Sequence, residues 1–111
     1  MSNLFKVKGI NLNTTTETTL LTTPAQSSFI LSSVIISNTT AGAVTASFDF
    51  HDSSIGASYN IATDLSIGAK TKVELFTNTF VLEELDSLKA TAATGSALNI
   101  TISYLDRQRG G

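Results

Sequence analysis

The sequence predicts an all-β fold: a single antiparallel β-sandwich, jelly-roll-like or Ig-like, of about eight strands. Three observations predict it. Apolar and polar residues alternate with period two over several short runs, the spacing of a strand with one buried face. Clusters of Gly, Asn, Ser and Thr separate those runs, and Pro occurs once, at Pro24. The runs are rich in Val, Ile and Thr, and none repeats its apolar residues at helical spacing.

Taken in order, "LFKVKGINL" is the first predicted strand, with Lys6 and Lys8 on one face. "TETTLLTT" is the second, stopped by Pro24. "SFILSSVIISN" is apolar on both faces: simple alternation sets Phe29, Leu31 and Ile35 against Ile30, Val34 and Ile36. Such a strand is central in its sheet or lies against a second subunit. "NTTAGA" follows as a turn, with Gly42 able to take positive φ.

"VTASFDFH" alternates cleanly, with Val44, Ala46, Phe48 and Phe50 inward and Thr45, Ser47, Asp49 and His51 outward. "SYNIATDL" sets Tyr59, Ile61 and Leu65 on one face, and "KTKVEL" sets Val73 and Leu75 inward. "SLKATAA" buries Leu88, Ala90 and Ala92, and "LNITISYL" buries Leu98, Ile100, Ile102 and Tyr104. Gly56, Gly68 and Gly95 mark turns between these runs.

A chain of 111 residues makes one domain with one core. We expect the sandwich over residues 1–106 and a flexible arm, "DRQRGG" from Arg107 on, over 107–111. With no cysteine there is no disulfide framework and no thiol chemistry. Charged residues are 14% and the formal net charge is -2, which argues against nucleic-acid binding through a broad basic surface. No apolar run approaches a membrane span, and the N-terminus lacks a signal-peptide stretch.

Candidate chemistry is thin. His51 is the one histidine, and Asp49 shares its strand face. A metal site needs three or more ligands, and neither cysteine nor a second histidine exists to complete one. Glu83, Glu84 and Asp86 lack the alternating acidic pattern of a calcium loop and read as an acidic turn. No "GxSxG" elbow or glycine-rich phosphate loop is present. Asn13, Asn38 and Asn99 each open an Asn-x-Ser/Thr triplet, which a threonine-rich chain produces by chance. These readings describe a non-enzymatic protein with no cofactor and no metal.

The stretch "LLTTPAQSSFILSSVIISNTTAGAVTASFDF" resembles small β-sandwich virion proteins of tailed bacteriophages, through Thr23, Pro24, Ala25, Ile35, Ile36, Ser37, Asn38 and Thr39. "FVLEELDSLKATAATGSALNITISYLD" resembles their closing strands, through Leu82, Asp86, Ser87 and Tyr104. Many of those proteins carry glycine just after Pro-Ala and just before that Asp, where this chain has Gln26 and Leu85.

The resemblance implies a structural subunit of the particle, assembled in the host cytoplasm. A capsid decoration or cement protein leads, as a homo-oligomer such as a trimer, with the major capsid protein or neck and tail proteins as partners. The alternatives are a neck or tail adaptor or adhesion subunit and a carbohydrate-binding module. The last usually offers exposed aromatic platforms, and this chain has no Trp and only Tyr59 and Tyr104 as tyrosines. The expected contact residues are Phe29, Leu31 and Ile35 or their opposite-face partners Ile30, Val34 and Ile36, together with the chain ends, Arg107 and Arg109 among them.

Overall fold

The computed structural model describes residues 2–76 and 78–108. Nine strands form two antiparallel sheets, and the described residues include no helix. The strands are β1 (Ser2–Leu12), β2 (Thr18–Thr22), β3 (Ser27–Asn38), β4 (Val44–Asp52), β5 (Ala57–Ile67), β6 (Lys72–Glu74), β7 (Phe80–Leu82), β8 (Ser87–Ala92) and β9 (Leu98–Gln108). The first sheet runs β1-β9-β3-β6, with β7 also pairing β3, and the second runs β2-β8-β4-β5. The sandwich predicted from the alternation is therefore present. It has one strand more than expected, because β7 is too short to show a period of its own.

The core lies between the sheets. From β4 it takes Val44, Ala46 and Phe48, from β8 Leu88, Ala90 and Ala92, and from β9 Leu98, Ile100, Ile102 and Tyr104, all as the alternation requires. Phe29 and Tyr104 pack ring against ring at 4.7 Å.

Strand β3 departs from simple alternation. Its register with β9 slips between Leu31 and Ser33, a bulge that gives β3 one extra residue. Phe29 and Leu31 point inward before the slip, and Val34 and Ile36 point inward after it. The expected grouping of Phe29 and Leu31 with Ile35, and of Ile30 with Val34 and Ile36, is corrected accordingly. Ile30 and Ile35 share the outer face. The bulge serines find partners: Ser32 Oγ donates to Ser103 O at 3.0 Å, and Ser33 Oγ donates to Glu74 Oε1 at 2.8 Å.

Two register shifts against β4 do the same to β5, so Ile61 and Ala62 both pack against the core. A shift in β2 lets Leu20 and Leu21 both be buried. The turn after β3 is held by the Asn38 side chain rather than by a left-handed Gly42. The Asn38 amide donates to Gly42 O at 2.8 Å and Ile67 O at 3.0 Å, and its oxygen accepts from Thr40 N at 2.9 Å. Among the described glycines only Gly56 has positive φ.

Strand β9 extends through Gln108, with Arg107 opposite Asn3 on one side and Ser28 on the other. Residues 107 and 108 thus belong to the sheet and not to an arm. The remaining expected arm residues, Arg109, Gly110 and Gly111, lie outside the described residues.

The two departures from the glycine pattern of the phage proteins now have a physical reading. Gln26 has φ 63° and Leu85 φ 69°, both left-handed. A side chain there costs about 1–2 kcal/mol, and the extra freedom of an unfolded glycine returns roughly 0.5–1 kcal/mol of it. Gln26→Gly and Leu85→Gly should each raise stability by about 0.5–1 kcal/mol. Urea denaturation of the two variants checks this; lower midpoints would show that the side chains contribute more than the strain.

Candidate assembly surface

The two outer faces of the sandwich differ in chemistry. On the second sheet, β4 presents Thr45, Ser47, Asp49 and His51, and β8 presents Lys89 and Thr91. Four of these groups are engaged by neighbours, Ser47 Oγ accepting from Asp64 N at 3.0 Å. Asn60 donates to Asp49 Oδ1 at 3.0 Å, His51 Nδ1 lies 2.9 Å from Ser58 Oγ, and Lys89 sits 3.9 Å from Glu17. His51 is opposite Ser58 and Asp49 opposite Asn60 in the β4–β5 ladder. Both contacts are cross-strand pairs of a solvated sheet.

The acidic turn is also structural. Asp86 is 1% exposed, and its carboxylate accepts from Glu83 N and Ser53 N, each at 3.1 Å. Its backbone carbonyl accepts from Thr23 N at 2.9 Å, and Leu85 N donates to Thr23 O at 2.9 Å. Asp86 therefore ties together the loops before β3, after β4 and before β8. Among the described residues no group of three His, Cys, Asp or Glu side chains could hold a metal.

The outer face of the first sheet is of another kind. Phe5 lies opposite Leu105, Leu105 opposite Ile30, and Ile30 opposite Val81. Directly opposed residues in antiparallel strands share a face. The flanking Tyr104, Asp106, Phe29, Leu31 and Leu82 are buried, so these four side chains point outward. They form an apolar row across four adjacent strands, about 14 Å long at the usual strand spacing. Phe5 is 88% exposed, Val81 49% and the neighbouring Val7 68%.

Above and below the row the face is Ser103, Ser33 and Thr101, with Ile35 beyond them. Ionised groups stand at its margins: Arg107 beside Ser28, and Lys72 and Glu74 on β6. The centre of the face can be dried without stripping water from an ion, the condition a docking surface has to meet.

The eight expected contact residues divide. Phe29, Leu31, Val34 and Ile36 are core residues and cannot reach a partner, because the bulge at Ser32 and Ser33 turns them all inward. Ile30 and Ile35 lie half-buried on the outer face, and Arg107 is exposed at its margin. Arg109 lies outside the described residues.

Sequence reasoning missed Phe5, Val7, Leu105 and Val81. The signal lay in β1, where Lys6 and Lys8 share one face and so assign Phe5 and Val7 to the other. The lysines take the inner side at the open edge of the sandwich. Lys6 Nζ donates to Asp106 Oδ2 at 3.1 Å, and Lys8 Nζ donates to Leu20 O at 3.0 Å. Both residues stay exposed, with their heads polar-paired.

An aromatic run also escaped notice. Phe76, Phe80, Phe50 and Tyr59 contact in sequence, with centroids 4.5, 5.6 and 6.4 Å apart. It closes the side of the core between β7 and β5.

No protein-family model matches the chain, and no curated protein matches it. A chain in the structure of infectious bursal disease virus, Gx strain, is similar in fold, with a TM-score of 0.52 and 12% identity. The match covers 97% of this chain and 34% of that one, so this chain spans about a third of its length. At that identity the likeness is one of fold alone.

Proposed function

We propose that the chain is a non-enzymatic structural subunit of a virus particle: a capsid decoration or cement protein of a tailed bacteriophage, acting as a homo-oligomer. The observation that carries this reading is the apolar row Phe5–Leu105–Ile30–Val81 on a face whose centre holds no ionised group. Burying such a face against a neighbouring subunit stabilises the contact in proportion to the apolar area dried. Two further facts support the reading: the resemblance of residues 14–106 to phage sandwich proteins, and a fold shared with a chain in a virus structure. Each contact is small, and many symmetric copies make the total large.

Purified particles test it. Val81→Lys places a charge at the end of the row, at a position already 49% exposed, so the fold tolerates it. Drying that charge should weaken docking by about tenfold or more. Thr45→Lys on the opposite, polar face should leave occupancy unchanged. Loss of occupancy with Thr45→Lys but not Val81→Lys would overturn the assignment of the face. Glycan binding on an array, lost when Tyr59 is replaced by Ala, would favour a carbohydrate-binding module instead.

A further inference from the structure

Among the described residues the sandwich has four edges, and one of them is both long and regular. On the first sheet, β6 and β7 have three residues each, too short to template a partner. On the second sheet, β2 has five residues and a register shift, and β5 has two register shifts. Strand β1 is 11 residues long, contains no proline, and pairs with β9 from Ser2 to Leu12 without a shift. Its other side carries a row of backbone groups with no strand of the described residues beside them. Inward-pointing lysines are a usual guard of such an edge, but the heads of Lys6 and Lys8 are bound within their own chain, and the exposed apolar side chains beside them leave the edge open to a further strand.

The residues along β1 say which strand. We propose that the partner is a second copy of this chain, joined β1 to β1, antiparallel, about a two-fold axis at Val7. That register sets Val7 against Val7, Phe5 against the partner's Gly9, Leu4 against Ile10 and Asn3 against Asn11. Every apolar side chain of β1 short of its last residue gains an apolar or glycine neighbour. Phe5 is 88% exposed, and a Cβ added at Gly9 would meet nothing within 4 Å, so the ring has an open glycine backbone to cover. The pairing also sets Lys6 against the partner's Lys8, twice. Both heads are drawn away from the seam, Lys6 to Asp106 and Lys8 to Leu20 O. The residual repulsion makes the dimer tighten as salt rises.

The two first sheets become one continuous sheet, and each copy's apolar row ends at the seam. This deepens the reading of the chain as an assembly subunit and rests on it: a dimer presents two docking faces to the particle at once.

A cysteine scan tests the register, in a chain that has no cysteine of its own. Asn3→Cys, Phe5→Cys, Val7→Cys and Asn11→Cys are oxidised singly, and covalent dimer is read by non-reducing electrophoresis. Opposed residues have Cα atoms about 4.5–5.5 Å apart, inside the range of a disulfide. Val7→Cys should cross-link nearly completely. At Phe5 the two cysteines would lie roughly 13 Å apart along the strands, too far to join. In parallel, sedimentation of Gly9→Val should show the dimer weakened about tenfold, since the added side chain displaces Phe5 at both ends of the seam. A monomeric wild type at high concentration, or cross-linking centred on any other position, overturns the proposal. Particle docking that survives Gly9→Val while dimerisation is lost would separate failure of the dimer from failure of the assembly role.

Discussion

Phe48→Ala lowers stability by about 3–5 kcal/mol, the cost of emptying a fully buried aromatic position. Phe48 is 0% exposed, at the centre of β4. Its ladder neighbours are Ala90 on β8 and Ala62 on β5. Both share its face, so the ring fills the room that two small side chains leave. Removing it leaves a void bounded by alanines, which have no length with which to close it. Core collapse from the opposite sheet is limited because the strands there are tied on both sides. The loss is a large part of the roughly 5–15 kcal/mol that holds a domain of this size folded. It should lower the melting temperature by on the order of 15 °C. Phe48→Leu keeps most of the volume and should cost less than about 1.5–2 kcal/mol. If urea denaturation finds Phe48→Ala as stable as the parent, the inward facing of β4 is wrong.

The second large effect belongs to a polar residue. Asp86→Ala should cost about 2–3 kcal/mol, because it strands buried donors that a charged acceptor now satisfies. Glu83 N and Ser53 N both point at this carboxylate, and Ser53 Oγ lies 3.5 Å from it. The backbone of the same residue holds Thr23, so a disturbed turn also loosens the end of β2. Asp86→Asn keeps one acceptor oxygen and should lose about half as much. The comparison separates a hydrogen-bonding role from a charge role. Equal losses in the two variants would mean that the charge, rather than the acceptor geometry, stabilises the turn.

Strands β4 and β9 could be read from the sequence because no residue is inserted within either, so their period-two patterns run unbroken from end to end. Strand β3 could be recognised but not faced. An extra residue at Ser32 and Ser33 inverts its phase, and one inserted residue leaves no mark in composition. The pair of adjacent serines in an apolar run was the one visible trace. For that reason neither expected trio lies whole on the outer face, which keeps Ile35 from one and Ile30 from the other.

The apolar outer face was hidden by a different cause. Charged residues usually face water, which would put Lys6 and Lys8 outside and Phe5 and Val7 inside. The reverse holds because Asp106, distant in sequence, supplies a partner at the open edge of the sandwich. Long-range pairing of this sort has no local signature. The left-handed turns at Gln26 and Leu85 were legible only through the glycines that resembling proteins carry there. Asp86, by contrast, was visible as part of an acidic turn, although the loops it joins were not.

Electron cryo-microscopy of the assembled particle tests the central claim most directly. The account predicts sandwich density at repeated positions on the capsid, with the face carrying Leu105, Ile30 and Val81 against the shell and the face carrying Thr45 and Lys89 toward solvent. Density at the neck or tail in the same orientation would keep the assembly face and move the subunit. Particles without this chain, or a subunit docked with the Leu105–Ile30–Val81 face open to water, would contradict the account.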